Sequence, residues 1–287
     1  MQKLTGTGVW AHQLRYGDAG AIREMAVELE ELGYSALWIP DVGGDVFASV
    51  GLLMDATKQA TIATGILNLW MHSPEETAEQ HAQLTEAHGD RFLVGIGVSH
   101  QMLIDRKNPG RYAKPLSAMR EFLDGLDLAD HPLPRDSRVL AALGPKMLEL
   151  ARDRSAGAHP YNVTPAHSAI AREALGPAAL VATEQAVALT KDASVARAAG
   201  RQHASIYLNL PNYTNNLKRL GFADQDFADG GSDRLIDALV AWGDEDAIAA
   251  RVQEHRDAGA DHVCIQVVTQ DATELRNQWR ELAPALT

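Results

Sequence analysis

The segment Leu32–Ile39, LGYSALWI, decides the fold because it joins a helix to a buried strand. Residues 18–31 before it place apolar side chains at helical spacing, and Gly33 can adopt the left-handed turn that ends a helix. Residues 37–39 are all apolar, as in parallel strands that helices cover. The segment 258–265, AGADHVCI, repeats this pattern. Two such distant units indicate a repeated α/β architecture.

The same alternation of helices and strands fills the chain between these units. Eight strands in 287 residues predict a single domain over residues 1–287, folded as a (β/α)8 TIM barrel. A doubly wound sheet is the alternative, but its glycine-rich fingerprint is missing after the first strand. The predicted strands are Gly8–Ala11, Ala36–Pro40, Thr61–Leu67, Phe92–Val98, Arg138–Leu143, Gly157–Asn162, Leu180–Leu189 and His262–Val268. The predicted helices are 18–32, 74–88, 115–129, 145–155, 192–208 and 244–258.

Residues 209–243 do not fit the repeat. NLPNYTNNLKRLGF begins with a proline break and then has a helical pattern, and ADQDFADGG has the composition of a loop. We therefore expect this segment to be an irregular insertion near the mouth of the barrel.

Composition narrows the classes of partner. A formal net charge of −12 argues against nucleic acid and against an anionic membrane. No apolar run approaches the ~20 residues that cross a bilayer, and the start lacks the apolar core of a signal peptide, so a cytoplasmic location is expected. Cys264 is the only cysteine, and no close metal-ligand spacing occurs, so no metal is expected. The expected partners are a small-molecule substrate and a second copy of the chain in a homodimer.

The stretch Val94–His100, VGIGVSH, ends a predicted strand in an ionisable ring. Active sites of such barrels lie at the carboxyl ends of the strands, and histidine has an ordinary pKa of ~6.5, so His100 is the candidate catalytic acid or base. The alternative is that His100 only holds its loop by hydrogen bonds. Gly95 and Gly97 would let a flat ring approach. The other residues predicted at strand ends are His12, Asp41, Asn68, Trp70, Gly144, Pro145, Lys146, His159 and Tyr161.

An anion site is predicted in residues 140–151, LAALGPKMLELA. Gly144 gives a turn, Pro145 suits a first helical position, and Lys146 adds a positive charge to the free N–H groups of the helix start. The segment 105–114 adds Arg106, Lys107, Arg111 and Lys114 against one acid. The alternatives are an ordinary helix start and a solvated loop.

Four runs together resemble one known family: ALWIPD, TIATGILN, DRFLVGIGVSH and LAALGPKMLELARDRSAGAHPYNVTP. Their order and spacing are similar to those of the luciferase-like oxidoreductases, which use flavins or deazaflavins, and most similar to the branch that uses coenzyme F420. The resemblance implies an F420-dependent oxidoreductase that transfers hydride between the deazaflavin and a small organic substrate. An FMN-dependent monooxygenase is the first alternative, and a non-catalytic flavin- or deazaflavin-binding protein is the second.

The resemblance also implies site residues. Asp41 and Asn68 match residues beside the cofactor ring, and Gly65-Ile66 matches a non-proline cis peptide behind it. His100 lies where several deazaflavin enzymes of the family carry a glutamate that serves as acid. Ser99, beside it at the end of the strand, is also expected to contact the cofactor. Val42 replaces a histidine, and His100 replaces a glutamate, of the sugar-phosphate dehydrogenase branch, so that activity is not expected. The cofactor-binding set is completed by the phosphate cradle Ala142, Leu143, Gly144, Pro145 and Lys146, and by His159.

Overall fold

A computed structural model describes residues 3–107, 109–269 and 271–287, without the side chain of Lys107. Eight parallel strands close into a barrel in the order β1, β2, β3, β5, β6, β7, β8, β10 and back to β1. The predicted (β/α)8 barrel is therefore confirmed. The strands are β1 Gly6–Trp10, β2 Ala36–Ile39, β3 Thr61–Thr64, β4 Leu67–Asn68, β5 Phe92–Gly97, β6 Arg138–Leu140, β7 Gly157–Ala158, β8 Leu180–Leu189, β9 Val240–Gly243 and β10 His262–Val267.

Helices surround the barrel, and four short 3₁₀ turns lie between them at 12–14, 135–137, 207–209 and 224–230. None of the helices in the described ranges is long and apolar enough to cross a membrane. The helices are α1 Ala19–Glu31, α2 Val46–Ala56, α3 Pro74–His88, α4 Gln101–Lys107, α5 Pro115–Leu128, α6 Pro145–Arg154, α7 Pro165–Leu175, α8 Ala193–Ala204, α9 Pro211–Arg219, α10 Asp233–Leu239, α11 Glu245–Asp257 and α12 Ala272–Leu286.

The first helix-to-strand unit follows its sequence closely. The side chain of Asp18 caps α1 by accepting a hydrogen bond from the N–H of Ala21. The buried residues Ile22 and Leu29 keep helical spacing, and Gly33 has φ +92°, as its position after the helix predicts. All four residues of β2 are buried, which is the burial expected of a parallel strand between two packed layers.

Alternation along β8 separates the helix layer from the barrel interior. Gln185 accepts a hydrogen bond from His255 of α11 at 2.9 Å, and the Nδ1 of that ring lies 2.8 Å from the hydroxyl of Ser168 in α7. Glu184 has the opposite orientation, because neighbouring strand residues point to opposite faces. Its partner in the register with β10 is Cys264, which belongs to the buried cluster inside the barrel. Glu184 is therefore an interior residue.

The insertion 209–243 is more regular than its sequence predicts. It contains α9, a 3₁₀ turn, α10 and the strand β9, which pairs with residues 186–189 of β8. Pairing of β7 with β8 stops at Val181, so the outer part of that edge is free for β9. A second apolar cluster packs the segment against β8 and α8, and includes Ala186, Ala196, Leu217, Ile236 and Val240.

Candidate active site

The predicted residues of β2, β3 and β4 meet at the carboxyl end of the barrel. The peptide bond between Gly65 and Ile66 is cis, as the resemblance implies. Asn68 follows it in β4, and its N–H donates to Oδ2 of Asp41 at 3.1 Å. The side-chain oxygen of Asn68 accepts from the N–H of Trp70 at 3.1 Å. Asp41 and Asn68 therefore belong to one cluster.

Asp41 is the centre of a charged network that the sequence did not reveal. Nη1 of Arg15 lies 3.1 Å from Oδ1, and Nε2 of His72 donates to Oδ2 at 2.9 Å. Burial raises the pKa of Asp41, but the hydrogen bonds from His72, Asn68 and Arg15 outweigh it and bring the pKa below its ordinary value. Arg15 and His72 stand in turns without any motif, so only the fold brings them together. The carboxylate is ionised and ties three loops to one another.

Gly65 lies against one indole nitrogen and one imidazole nitrogen. A Cβ added there would come 2.3 Å from Nε1 of Trp10 and 3.1 Å from Nε2 of His159. His159 donates from Nδ1 to the carbonyl of Ala182 at 2.8 Å, and its ring stacks on Trp38 at 4.1 Å between centroids. Burial lowers the pKa of His159 to about 4. His159 was expected at the rim, but it lies inside the barrel with its ring beneath Gly65.

Gly95 and Gly97 serve backbone packing, so the expectation that they leave room for a ring is wrong. A Cβ on Gly95 would come 2.0 Å from the carbonyl oxygen of Thr64. A Cβ on Gly97 would come 2.5 Å from Cδ1 of Ile66. The space beside both glycines is therefore taken by the neighbouring strand and by Ile66.

His100 begins α4 above the end of β5. Ser99 before it has φ +54°, and the carbonyl of His100 accepts from the N–H groups of Leu103 and Ile104. The imidazole lies 5.2 Å from the ring of Tyr213. Burial lowers the pKa of His100 to about 4, below the ordinary value that the sequence suggested. The ring is therefore neutral at pH 7 and can act there as a hydrogen-bonding group, but not as a charged acid.

Tyrosine hydroxyls lie beside His100, in a cluster that includes Tyr161 from the predicted set. Tyr161 donates to Oε1 of Gln266 at 2.7 Å, and its oxygen lies 2.8 Å from the hydroxyl of Tyr207. Because the proton of Tyr161 is directed at Gln266, Tyr207 is the donor to Tyr161. The ring of Tyr213 lies 5.2 Å from that of Tyr207. These phenols form an aromatic wall of the mouth.

Glu184 lies in the barrel interior near this wall, and sequence reasoning missed it. Its Oε2 accepts from the N–H of Asn162 at 2.9 Å. Burial raises its pKa to about 8, against the smaller opposite effect of that hydrogen bond. An acidic residue in the middle of the apolar strand LVATEQAVAL was the available signal.

The predicted anion site is built on α6. Gly144 is its N-cap without a capping side chain, Pro145 is the first helical residue, and Lys146 is exposed. Sequence reasoning missed Arg219 of α9, whose Nη2 lies 3.5 Å from the carbonyl of Leu143. Ala142, the residue before Leu143, is buried. The helix start and two cations form an electropositive edge of the mouth.

The basic segment 105–114 is only partly a loop, because residues 105–107 belong to α4. Arg111 donates to the carbonyl of Trp70 at 2.8 Å, which places the segment over the loop after β4. Lys114 has φ +45° at the start of α5. The side chain of Lys107 lies outside the described part of the chain.

Comparison with known proteins finds a family similarity in the amino-terminal part of this barrel. A family model described as luciferase-like monooxygenase matches residues 3–129. The match covers less than half of the chain, so it shows a similarity of this part to that family. The chain is also 24% identical, over 118 residues, to a putative coenzyme F420-dependent oxidoreductase of Mycobacterium tuberculosis. That match covers 41% of the chain and 33% of the relative, so the chain spans about a third of the relative's length.

Solved structures resemble the fold of this chain over nearly its whole length. A coenzyme F420-dependent tetrahydromethanopterin reductase from Methanopyrus kandleri is 19% identical with a TM-score of 0.75, and the match covers 99% of both chains. The oxygenating constituent of 3,6-diketocamphane monooxygenase from Pseudomonas putida, solved with FMN, is 15% identical with a TM-score of 0.70, again over 99% of both. At these identities the likeness concerns the fold, and the predicted luciferase-like barrel is confirmed.

Proposed function

We propose that this protein is an F420-dependent oxidoreductase that exchanges hydride between the deazaflavin and a small organic substrate. The observation that carries the proposal is the pairing, at one mouth, of an uncharged aromatic wall with an electropositive edge. His100 and Tyr213 belong to the wall, and Lys146 and Arg219 belong to the edge. A planar cofactor with a phosphate-bearing side chain needs both features. An F420-dependent relative and an F420-dependent structural neighbour support this choice.

The residues present fit such a cofactor. The ring would lie beside Gly65-Ile66 and Asn68, within reach of Ser99 and His100, and the phosphate would lie at Ala142–Lys146. Bound there, a deazaflavin supplies a carbon that gives or accepts hydride. The neutral imidazole of His100 can donate a hydrogen bond to a reacting oxygen. Asp41 holds the ends of β2 and β4 in place through Arg15 and His72.

The surface around the mouth favours an apolar substrate. Exposed apolar side chains follow β2, β4 and β5, with Val42 69% exposed and Met102 55% exposed. Met71 and Leu103 are exposed beside them. Apolar side chains at the entrance to a polar site favour an organic molecule whose reacting group is polar and whose remainder is apolar.

Binding measurements with F420 and with FMN test the proposal. We expect micromolar or tighter binding of F420, weaker binding of FMN, and a loss of F420 absorbance with turnover when alcohols, ketones or enones are screened. Tight FMN binding with oxygen consumption would favour the FMN-dependent monooxygenase, which the FMN-containing neighbour supports. Binding without turnover on any substrate would favour a non-catalytic carrier.

Lys146→Ala should weaken F420 binding about 10-fold at low salt and leave riboflavin, which lacks a phosphate, unaffected. Exposed charges are screened beyond ~8 Å at physiological ionic strength, so the difference between variant and wild type should shrink as salt is added. Fluorescence titrations at several salt concentrations measure it. Lys58→Ala is the matched control, because Lys58 is exposed after α2, away from the anion edge. Equal losses for F420 and riboflavin would contradict the assignment.

His100→Gln should lower kcat about 10²-fold while the affinity for F420 holds, because glutamine misplaces the hydrogen bond. The pH profile between pH 6 and pH 8 should keep its shape, since the pKa of His100 lies near 4. Steady-state rates across this pH range measure both effects. A wild-type limb near pH 6.5 that disappears in the variant would show that His100 titrates at its ordinary pKa.

A further inference from the structure

Trp70 lies between the Asp41 cluster and His100, and the proposed function gives it no part. Its indole N–H donates to the carbonyl of Val98 at 2.7 Å. Val98 is the first residue after β5 and stands two positions before His100. The indole therefore contacts the backbone that carries the candidate catalytic ring.

This hydrogen bond lies beyond the strand pairing at the end of β5. Pairing of β5 with β6 ends at Ile96, and pairing with β4 ends at Gly97. The loop after β4 then donates to the carbonyl of Gly97 through the N–H of Leu69 at 3.2 Å. The carbonyl of Val98, one residue further, takes its hydrogen bond from the side chain of Trp70. A side chain thus continues the support that a neighbouring strand would give.

The residue that follows this carbonyl has an unusual backbone. Ser99 has φ +54°, in the left-handed region that residues with a side chain seldom adopt. Such a conformation persists where contacts hold the backbone on both sides of it. The bond from Trp70 holds the side before Ser99, and the first turn of α4, in which His100 accepts from Leu103 and Ile104, holds the side after it. The turn that displays His100 is therefore fixed at both ends.

The indole is itself held by its neighbours. The backbone N–H of Trp70 donates to Oδ1 of Asn68 at 3.1 Å, and its carbonyl accepts from Arg111 at 2.8 Å. The ring packs against that of Tyr112, with 5.7 Å between centroids. Asn68 in turn donates to Asp41 at 3.1 Å. A continuous series of contacts therefore joins the carboxylate of Asp41 to the end of β5.

The contact on the other side of His100 is longer. Nδ2 of Asn212 in α9 lies 3.5 Å from Nδ1 of the imidazole, beyond the usual ~2.7–3.2 Å of such hydrogen bonds. The indole N–H of Trp70 lies within that range, at 2.7 Å from its acceptor. The place of His100 is therefore set from its backbone side more than from α9.

We propose that Trp70 is the positioning residue of His100, because its indole N–H holds the carbonyl before the Ser99 turn and so keeps the imidazole where it meets the reacting group. The inference rests on the proposed function, in which His100 gives a hydrogen bond to that group. Trp70 acts through the backbone of Val98 and Ser99. Loss of the indole N–H lets this turn move, and the imidazole moves with it.

Trp70→Phe removes the indole N–H and keeps an aromatic ring beside Tyr112 and the backbone N–H that Asn68 accepts. Nuclear magnetic resonance of the imidazole protons in the cofactor-free protein measures the effect, and His100→Gln identifies the signals of His100. In the wild type these signals should stay unchanged from pH 8 to pH 6, because the pKa of His100 is about 4. In Trp70→Phe they should broaden or split, and the pKa should move toward its ordinary ~6.5 as the ring gains water.

Trp242→Phe is the matched control. The indole of Trp242 in β9 donates to Asp237 of α10 at 2.9 Å, so the same substitution removes a hydrogen bond of similar length inside the insertion. It should leave the signals of His100 at their wild-type positions, and both variants should melt within a few degrees of the wild type. Signals of His100 that are unchanged in Trp70→Phe, or that move equally in Trp242→Phe, would overturn the inference. So would a wild-type ring that already titrates at its ordinary pKa.

Turnover with whichever cofactor binds gives the second measurement. Trp70→Phe should lower kcat about 10-fold and leave KM and the affinity for the cofactor unchanged, because only the placement of the imidazole changes. Trp242→Phe should keep the wild-type kcat. An unchanged kcat in Trp70→Phe would contradict the inference. Signals of His100 that respond as expected, in a protein that turns over nothing, would contradict the proposed function instead.

Discussion

Acidification should unfold this protein with a midpoint between pH 5 and pH 4. Besides His100 at the mouth, five histidines have pKa values that burial lowers to about 3 or 4. A histidine in the unfolded chain has a pKa near 6.5. Below that pH the unfolded chain binds more protons than the folded chain, so the free energy of unfolding falls as the pH falls. Each ring removes about 1.4 kcal/mol per pH unit until its folded pKa is reached. The five are His159, His167, His203, His255 and His262.

Glu184 works in the opposite direction. Its folded pKa of about 8 lies above the ordinary value for glutamate, so between these two values its contribution to stability grows as pH falls. It offsets about one of the five histidines. The net loss is then about 5 kcal/mol per pH unit below pH 6, which consumes a stability of about 5–15 kcal/mol within two pH units.

Urea unfolding followed by circular dichroism at several pH values measures this slope. His203→Phe removes one titrating ring, keeps an aromatic side chain against Tyr207, and should make the slope shallower by about one proton. His131→Gln is the control, because the side chain of His131 is 63% exposed and should leave the slope unchanged. Stability that stays constant from pH 7 to pH 4.5 would contradict the prediction.

Gly95→Ala should destabilise the barrel by about 4 kcal/mol or more, the size of effect that severe overpacking produces. The new Cβ would lie 2.0 Å from the carbonyl oxygen of Thr64, a backbone atom that cannot rotate away. The hydroxyl of Thr64 also donates to the carbonyl of Gly95 at 2.9 Å, so any shift breaks a buried hydrogen bond. We expect little folded protein at 37 °C, measured by thermal melting.

Gly144→Ala is the matched control for this substitution. It adds the same methyl group at the same end of the barrel, but φ is −92° and nothing lies within 4 Å of the added Cβ. Its melting temperature should stay within a few degrees of the wild type, or rise slightly because alanine is less flexible when unfolded. Similar melting temperatures for the two variants would show that the barrel tolerates a widened space between β3 and β5.

The sequence predicted the barrel well because each strand carries its own local pattern. Residues 32–39 combine a helix end with an apolar run, and both signals depend only on neighbours in the chain. The segment Val240–Gly243 was placed in an irregular insertion, but it forms a strand because β8 outruns β7 and leaves an edge to pair. This free edge exists because β8 is longer than β7. The two strands lie in separate parts of the sequence, so no short stretch of sequence reveals the difference in length.

Part of the candidate site was predicted from local sequence, as at His100 and Lys146, and part only where the family pattern marks it. Asp41 and the Gly65-Ile66 peptide were found in this way, whereas Arg15, His72 and Glu184 were missed. Arg15 and His72 belong to the site because both donate hydrogen bonds to the buried carboxylate of Asp41. The pKa of His100 was misjudged because burial beside Tyr213 depends on α9, more than a hundred residues later.

The two sides of the mouth are held by hydrogen bonds of different lengths. Around Asp41 the hydrogen bonds are 2.9–3.1 Å long and involve charged partners. On the α9 side, Asn212 lies 3.5 Å from His100, and Arg219 lies 3.5 Å from the carbonyl of Leu143, and both distances exceed the usual ~2.7–3.2 Å of such hydrogen bonds. We therefore expect a ligand that enters the mouth to displace α9 before it displaces the residues around Asp41. The amide hydrogens of α9 should exchange with solvent sooner than those beside Asp41, and saturation with ligand should slow them most.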